Sequence, residues 1–287
     1  MTLKVHVQKI WPAPADDTLV GQSMVTVYDA QTAMLRSIFG PDTELHIRYN
    51  DRSTYFTSCA SMEAYNNVGM LNGLAEGEAA GCDVALISCG NDPALGAARD
   101  LLRIPVVSIT ESALHVACQL GRRIGIITMD DASPALVERN LRSYGLEECA
   151  VRHRPVRSAG FFEATAPWFS DPDYLRTRVI PRFEDVARGL IDDGADVIVT
   201  ACGNFAAFSV HDYAWVSGTQ VPVVEAVSAG AHMARLMGEM RQRHGIGTSK
   251  HGAYRGIAPH LAARMTAPFR DDAAGPADAR RALQTPE

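Results

Sequence analysis

The residues best suited to chemistry are two cysteines set in copies of one motif. The first copy reads Asp83-Val84-Ala85-Leu86-Ile87-Ser88-Cys89-Gly90-Asn91, and the second Asp196-Val197-Ile198-Val199-Thr200-Ala201-Cys202-Gly203-Asn204. Gly81 and Gly194 precede the copies at the same offset, and Ile104-Pro105-Val106-Val107 answers Val221-Pro222-Val223-Val224 downstream. Each copy is a short apolar run with a thiol at its carboxyl end, then a Gly-Asn that permits a tight turn. A thiol becomes a base or nucleophile only as the thiolate, and free N–H groups at a strand-to-helix turn favour that anion. The same amides could hold a carboxylate or enolate oxygen without a cationic side chain. Two such thiols facing one ligand could take a proton from one face of a planar carbanion and return one to the other. That chemistry inverts a stereocentre beside a carbonyl and needs no metal and no organic cofactor.

Cys59, Cys82, Cys118 and Cys149 have no matched partner and are expected to be small buried apolar residues. None of the six cysteines forms a C-x-x-C, and no Cys/His cluster has zinc-finger spacing, so free thiols and no metal site are expected. His115 and His232 also fall at matching places, within helices where packing or solvent exposure is the expected role. Glu111 is expected at a helix start, the favourable end of the dipole for a carboxylate.

The elements that must position these thiols alternate along the chain. Strands are expected at Leu3–Ile10, Glu44–Tyr49, Val84–Ser88, Val106–Ile109, Ile124–Thr128, Val197–Thr200 and Val223–Val224, with a weak one near Ala150–Pro155. Helices are expected at Thr18–Ile38, Met62–Ala80, Ala94–Leu102, Glu111–Leu120, Asp173–Asp192 and Ser228–Arg243, with a short one after Asn204. Ser133-Pro134 supplies an N-cap and a first-turn proline for a helix running to Tyr144. Continuous Val/Ile/Leu strands alternating with helices indicate an α/β fold of parallel sheets covered on both faces. Ligands of such sheets sit beyond the carboxyl ends of the strands, where Pro12, Cys89, Thr128 and Cys202 all fall. The connection Arg157–Pro172 carries Phe161, Phe162, Trp168 and Phe169, expected to pack internally, with cover over the ligand as the rival role.

A chain of 287 residues can bury a large core, as one domain or two lobes. The net charge of −6, without a long Lys/Arg run, argues against nucleic acid as a partner. No apolar stretch approaches the ~20 residues that cross a bilayer, and the start lacks a signal-peptide pattern. A cytoplasmic protein acting on a small molecule is expected.

The motifs resemble those of the aspartate/glutamate/hydantoin racemase superfamily, most closely its hydantoin racemase branch. The resemblance rests on Glu76–Asp83 leading into the first cysteine strand, on Cys89–Arg99, on Pro105–Ala113, on the second cysteine strand Asp196–Gly203, and on Thr248–Tyr254. It covers roughly residues 3–260. It implies two pseudo-symmetric lobes with the active site in the cleft between them: residues 1–117 and 224–262 in one, 118–223 in the other, and a carboxyl-terminal tail at 263–287. It implies Cys89 and Cys202 as the paired acid/base residues, with Gly90, Asn91, Gly203 and Asn204 supplying substrate-binding amides. It further implies Thr128 as a hydroxyl donor, Pro12 on the pocket wall, no cofactor, and a homo-oligomer. At the amino end the family often has Asn-Pro-Asn after its first strand, where this chain has Trp11-Pro12-Ala13-Pro14.

The reading that follows is a cofactor-independent racemase or epimerase acting on a hydantoin or related amino-acid derivative. A cis–trans isomerase or decarboxylase on the same scaffold is the alternative, although such relatives often keep only one of the cysteines. A non-catalytic two-lobed binding protein is the third reading, and it would leave the matched cysteines a coincidence.

Overall fold

Two parallel sheets of four strands carry the two cysteine motifs. The computed structural model describes residues 2–14, 19–50, 52–54 and 56–269. The first sheet has the order β2-β1-β3-β4, formed by β1 (Leu3–Lys9), β2 (Thr43–Arg48), β3 (Val84–Ser88) and β4 (Val106–Ser108). The second has the matching order β6-β5-β7-β8, from β5 (Ile124–Thr128), β6 (Val156–Ser158), β7 (Val197–Thr200) and β8 (Val223–Val224). Each cysteine therefore leaves the third strand of its sheet in spatial order, and the two lobes are pseudo-symmetric. Every residue of β3, β5 and β7 is buried, as continuous aliphatic runs covered on both faces require. The matched glycines before the cysteine strands both take positive φ, +77° at Gly81 and +97° at Gly194, where a side chain would be strained.

The helices are α1 (Leu19–Phe39), α2 (Ala60–Ala79), α3 (Leu95–Leu101), α4 (Ile109–Leu120) and α5 (Pro134–Ser143), then α6 (Ala166–Ser170) and α7 (Pro172–Tyr174). They continue with α8 (Ile180–Asp192), α9 (Ala206–Val210), α10 (Ala226–His244) and α11 (Pro259–Thr266). Helix α10 packs on β1, β3 and α4, while α4 also packs on β7 of the other sheet. One apolar cluster consequently runs through both sheets, from Val5, Val7 and Leu86 to Ile126, Val199 and Val224. The lobes share a core, and the cysteine loops are held against each other by it.

Several expected elements differ in detail. The strand expected near Ala150–Pro155 is instead β6 at Val156–Ser158, and Ala150 makes only a single bridge to Ile124. Only Val156 of that three-residue edge strand is buried, so little hydrophobic alternation marks it in the sequence. The helix expected at Asp173–Asp192 contains a π-helical segment, Leu175–Val179, just before Pro181. Proline lacks the N–H of the regular ladder and crowds the carbonyl four residues back, and the wider turn relieves both. Ser133 does not cap α5 through its side chain. Asp130 instead fixes the turn that leads into the helix, accepting from the backbone N–H of Ala132 and Ser133 at 2.9 and 3.0 Å. Helix α11, unanticipated in sequence, straddles residue 263, and residues 270–287 of the expected tail lie outside the described residues.

Candidate active site

The carboxyl ends of β3 and β7 meet at a cavity with about 550 Å³ of empty space, part of it open to solvent. Cys89, Gly90 and Asn91 form one side, and Cys202, Gly203 and Asn204 the other, so the structure brings together six of the eight residues singled out in sequence. The approach is close. A Cβ added to Gly90 would lie 2.2 Å from the Ala201 carbonyl oxygen and 2.7 Å from the Cys202 Cα. Only a residue without a side chain lets the first cysteine loop touch the second, which gives Gly90 a physical reason. Gly203 has no such constraint, its nearest would-be contacts being 3.8 and 3.9 Å away.

Each thiol is held in the same way. The Asn91 backbone N–H favours the Cys89 thiolate and the Asn204 N–H favours that of Cys202, the symmetric arrangement expected of the repeated motif. Burial outweighs those amides. It pushes both thiols up to about 12, with the neighbouring Cys202 charge adding to the effect on Cys89, and Asp130 and Glu225 to that on Cys202. Taken alone, either thiol stays protonated at neutral pH, although the turn amides favour the anion as expected. The Cys202 sulfur also lies 3.9 Å from Met129 Sδ.

Buried carboxylates brace each loop from behind. Asp92, at φ +46°, accepts from the backbone N–H of Thr110 and Glu111 at the start of α4, and from the Tyr144 hydroxyl. Glu225 accepts from Val227 and Ser228 N–H at the start of α10, and from Ser209. Both are pushed up to about 7, chiefly by burial. Glu111 itself forms a two-pronged pair with Arg99. His115 and His232 are exposed on their helices, as expected. Phe161, Trp168 and Phe169 are packed in the core of the second lobe, while Phe162 is exposed; none lines the cavity.

Two expected residues are not in the wall. Thr128 is fully buried, and its hydroxyl donates to the carbonyl oxygens of Asp130 and Arg157 at 3.2 and 3.4 Å. The chain beyond β5 instead presents Asp130 and Ser133 to the cavity, joined to Ser58 by hydrogen bonds of 2.9 Å (Ser58 to Asp130) and 3.2 Å (Ser133 to Ser58). Pro12 also stands outside, because Ile10 and Trp11 occupy that stretch of wall. Sequence reasoning missed Met24, Tyr28 and Gln31, which form one further face. Their spacing of four and then three residues is a helical stripe, and the glutamine within it was the legible signal. Tyr28 and Gln31 are both buried against the cavity.

The fold is that of a two-lobed α/β protein, and the candidate site with its paired thiols lies between the two sheets. Residues 21–234 match the family model described as Asp/Glu/Hydantoin racemase, and the chain belongs to that family. It is an isomerase, a racemase. A hydantoin racemase of Rhizobium meliloti is 32% identical over 194 residues, covering 67% of this chain and 73% of that protein. Another, of Pseudomonas sp. (strain NS671), is 26% identical over 201 residues, covering 68% and 75%. The solved allantoin racemase from Klebsiella pneumoniae superposes with a TM-score of 0.68 at 24% identity, over 89% of this chain and 94% of that one, and shows the same fold.

The geometry carries an alkylation prediction. Iodoacetamide is expected to inactivate the protein by modifying Cys89 or Cys202, and a bound substrate analogue to slow the loss, since both thiols face one cavity. Peptide mapping of the inactive protein checks this. Modification confined to Cys59, Cys82, Cys118 or Cys149 would contradict it.

Proposed function

We propose that the protein racemises a hydantoin or a closely related neutral cyclic amino-acid derivative, with Cys89 and Cys202 exchanging protons at its stereocentre. The observation that carries the choice of substrate is the wall itself. Among the described residues it contains no Lys, Arg or His, and its one carboxylate is Asp130. A free amino acid would bring a carboxylate that has only the loop amides to hold it and that shares the cavity with Asp130. A hydantoin is neutral, with ring N–H and C=O groups for Asn91, Asn204, Ser58 and Ser133, and apolar surface for Trp11 and Tyr28. Its hydrogen is activated by the adjacent carbonyl, so a thiolate can remove it without a metal or an electron-sink cofactor.

In this reading one cysteine enters as thiolate and the other as thiol. The thiolate takes the ring proton, the carbanion delocalises into the carbonyl, and the thiol delivers a proton to the other face. The amides of Gly90, Asn91, Gly203 and Asn204 steady the developing enolate oxygen. The relatives described as hydantoin racemases support the substrate class. The test is a panel of 5-substituted hydantoins and free amino acids, each followed by optical rotation and deuterium uptake. Turnover of the hydantoins is expected, and turnover of free amino acids alone would overturn the reading.

Thiols and amides suffice for this chemistry, so exhaustive chelation is expected to leave the rate within about twofold of the untreated protein. Racemisation assays before and after chelator check it. A loss restored by one particular metal would contradict the proposed mechanism.

A further inference from the structure

Lys9 ends β1 with its side chain inside the protein, 1% exposed. Its register partner across the sheet is Ser88, the residue before Cys89. Lys9 Nζ donates to Gln31 Oε1 at 2.7 Å and to Ser88 Oγ at 3.2 Å, and sits 5.1 Å from the centre of the Tyr28 ring. Gln31 in turn donates from Nε2 to the Gly203 carbonyl at 2.8 Å. Ser88, Tyr28 and Gln31 all line the cavity. One ammonium-bearing side chain is thus tied to both cysteine loops, and no carboxylate among the described residues forms an ion pair with it.

Lys9 supplies donors to two buried acceptors, which a neutral group could do as well, and no carboxylate compensates the charge that burial makes unfavourable. Its surroundings fit either protonation state. The neutral amine has two donors for Gln31 and Ser88, and the ammonium has a third N–H for the Tyr28 face.

We propose that Lys9, tied to the residue before Cys89 and through Gln31 to the residue after Cys202, is the buried counter-charge of the cysteine pair and takes up the proton that one thiol must lose before it can act as a base. The proposal rests on the two-cysteine reading above and adds the residue that sets the resting charge. The balance is a proton transfer: thiol and amine become thiolate and ammonium, with no net change in charge. Burial lowers Lys9 to about 7, and burial together with nearby negative charge raises each thiol to about 12. Each shift penalises one buried charge lacking an opposite partner, and forming thiolate and ammonium together in the same buried region offsets part of both. Other titratable groups facing the assembly are Tyr28 beside Lys9 and Tyr49 stacked on it, Asp92 and Glu63 toward Cys89, and Asp130 and Glu225 toward Cys202. All four carboxylates oppose a thiolate, so among these titratable groups only Lys9 could carry the charge that, with the loop amides, favours one. Lys9 acts through the thiols rather than on the substrate, so it is a positioning residue.

The test compares wild type, Lys9→Met and Lys9→Arg by the pH dependence of iodoacetamide labelling at Cys89 and Cys202, by kcat and KM, and by thermal melting. In folded Lys9→Met, labelling near neutral pH and kcat should each fall at least about tenfold with KM changing little, beyond any loss of melting temperature from the two hydrogen bonds removed. Lys9→Arg should recover part of both. Unchanged labelling and kcat in a folded Lys9→Met protein would overturn the proposal. Should that variant not fold, the ultraviolet thiolate absorbance of wild type, less that of a Cys89→Ser/Cys202→Ser double variant, decides the matter. A thiolate present near neutral pH supports the proposal, and its absence below about pH 9 overturns it. If Cys89→Ser and Cys202→Ser each keep racemising, the two-cysteine reading has failed. If they lose activity while Lys9→Met does not, only the role of Lys9 has.

Discussion

Cys89→Ser and Cys202→Ser are each expected to lose racemisation by about a thousandfold or more, the range over which a positioned acid or base acts. Serine keeps the size and the backbone of each loop, and its hydroxyl is far too weak an acid to replace a thiol at neutral pH. Both sulfurs line the same cavity, and each has the N–H of the asparagine two residues on beside it. The loss should therefore be similar for the two variants, and melting temperatures close to wild type would separate a chemical effect from a folding one. Assay of enantiomer interconversion by optical rotation measures it. Undiminished interconversion in either variant would contradict the account, and dependence on one cysteine alone would point to a decarboxylase or isomerase.

Gly90→Ala is expected to damage both stability and activity. The added methyl would lie 2.2 Å from a backbone carbonyl oxygen that no side-chain rotation can move. Relief requires the two cysteine loops to part, at about 3 kcal/mol of stability. A displacement of about 1 Å at the reacting groups lowers a rate by about a hundredfold. Gly203→Ala is the comparison for stability: its methyl meets side-chain atoms at ordinary contact distance, and a change below about 1 kcal/mol is expected. Denaturant unfolding of both variants measures the difference. Equal destabilisation would show that the close approach at Gly90 is not what holds the loops.

The sheet strands and the cysteine pair were legible because both rest on local pattern. Runs such as 84–87 and 197–199 are apolar throughout, and their repetition ahead of Cys-Gly-Asn is visible without any tertiary information. The rest of the wall depends on contacts between distant segments. Ser58 reaches Asp130 across 72 positions, and Gln31 reaches Gly203 across 172, neither of which a local pattern records. Thr128 was misplaced because a strand-end hydroxyl can turn outward or back onto the chain, and here two carbonyl oxygens hold it inward. Lys9 reads in sequence as an ordinary polar strand terminus. Its burial follows only from pairing with Ser88 and from α1 lying over it.

The central claim is that the two thiols serve opposite faces of one carbanion, and isotope exchange tests it most directly. In deuterium oxide, Cys89→Ser and Cys202→Ser should each exchange the ring hydrogen of one enantiomer of a 5-substituted hydantoin without inverting it, because the remaining cysteine still removes and returns a proton on its own side. Proton magnetic resonance of both enantiomers with both variants gives four exchange rates. The account predicts that the two variants prefer opposite enantiomers. Exchange of the same enantiomer by both variants would contradict it.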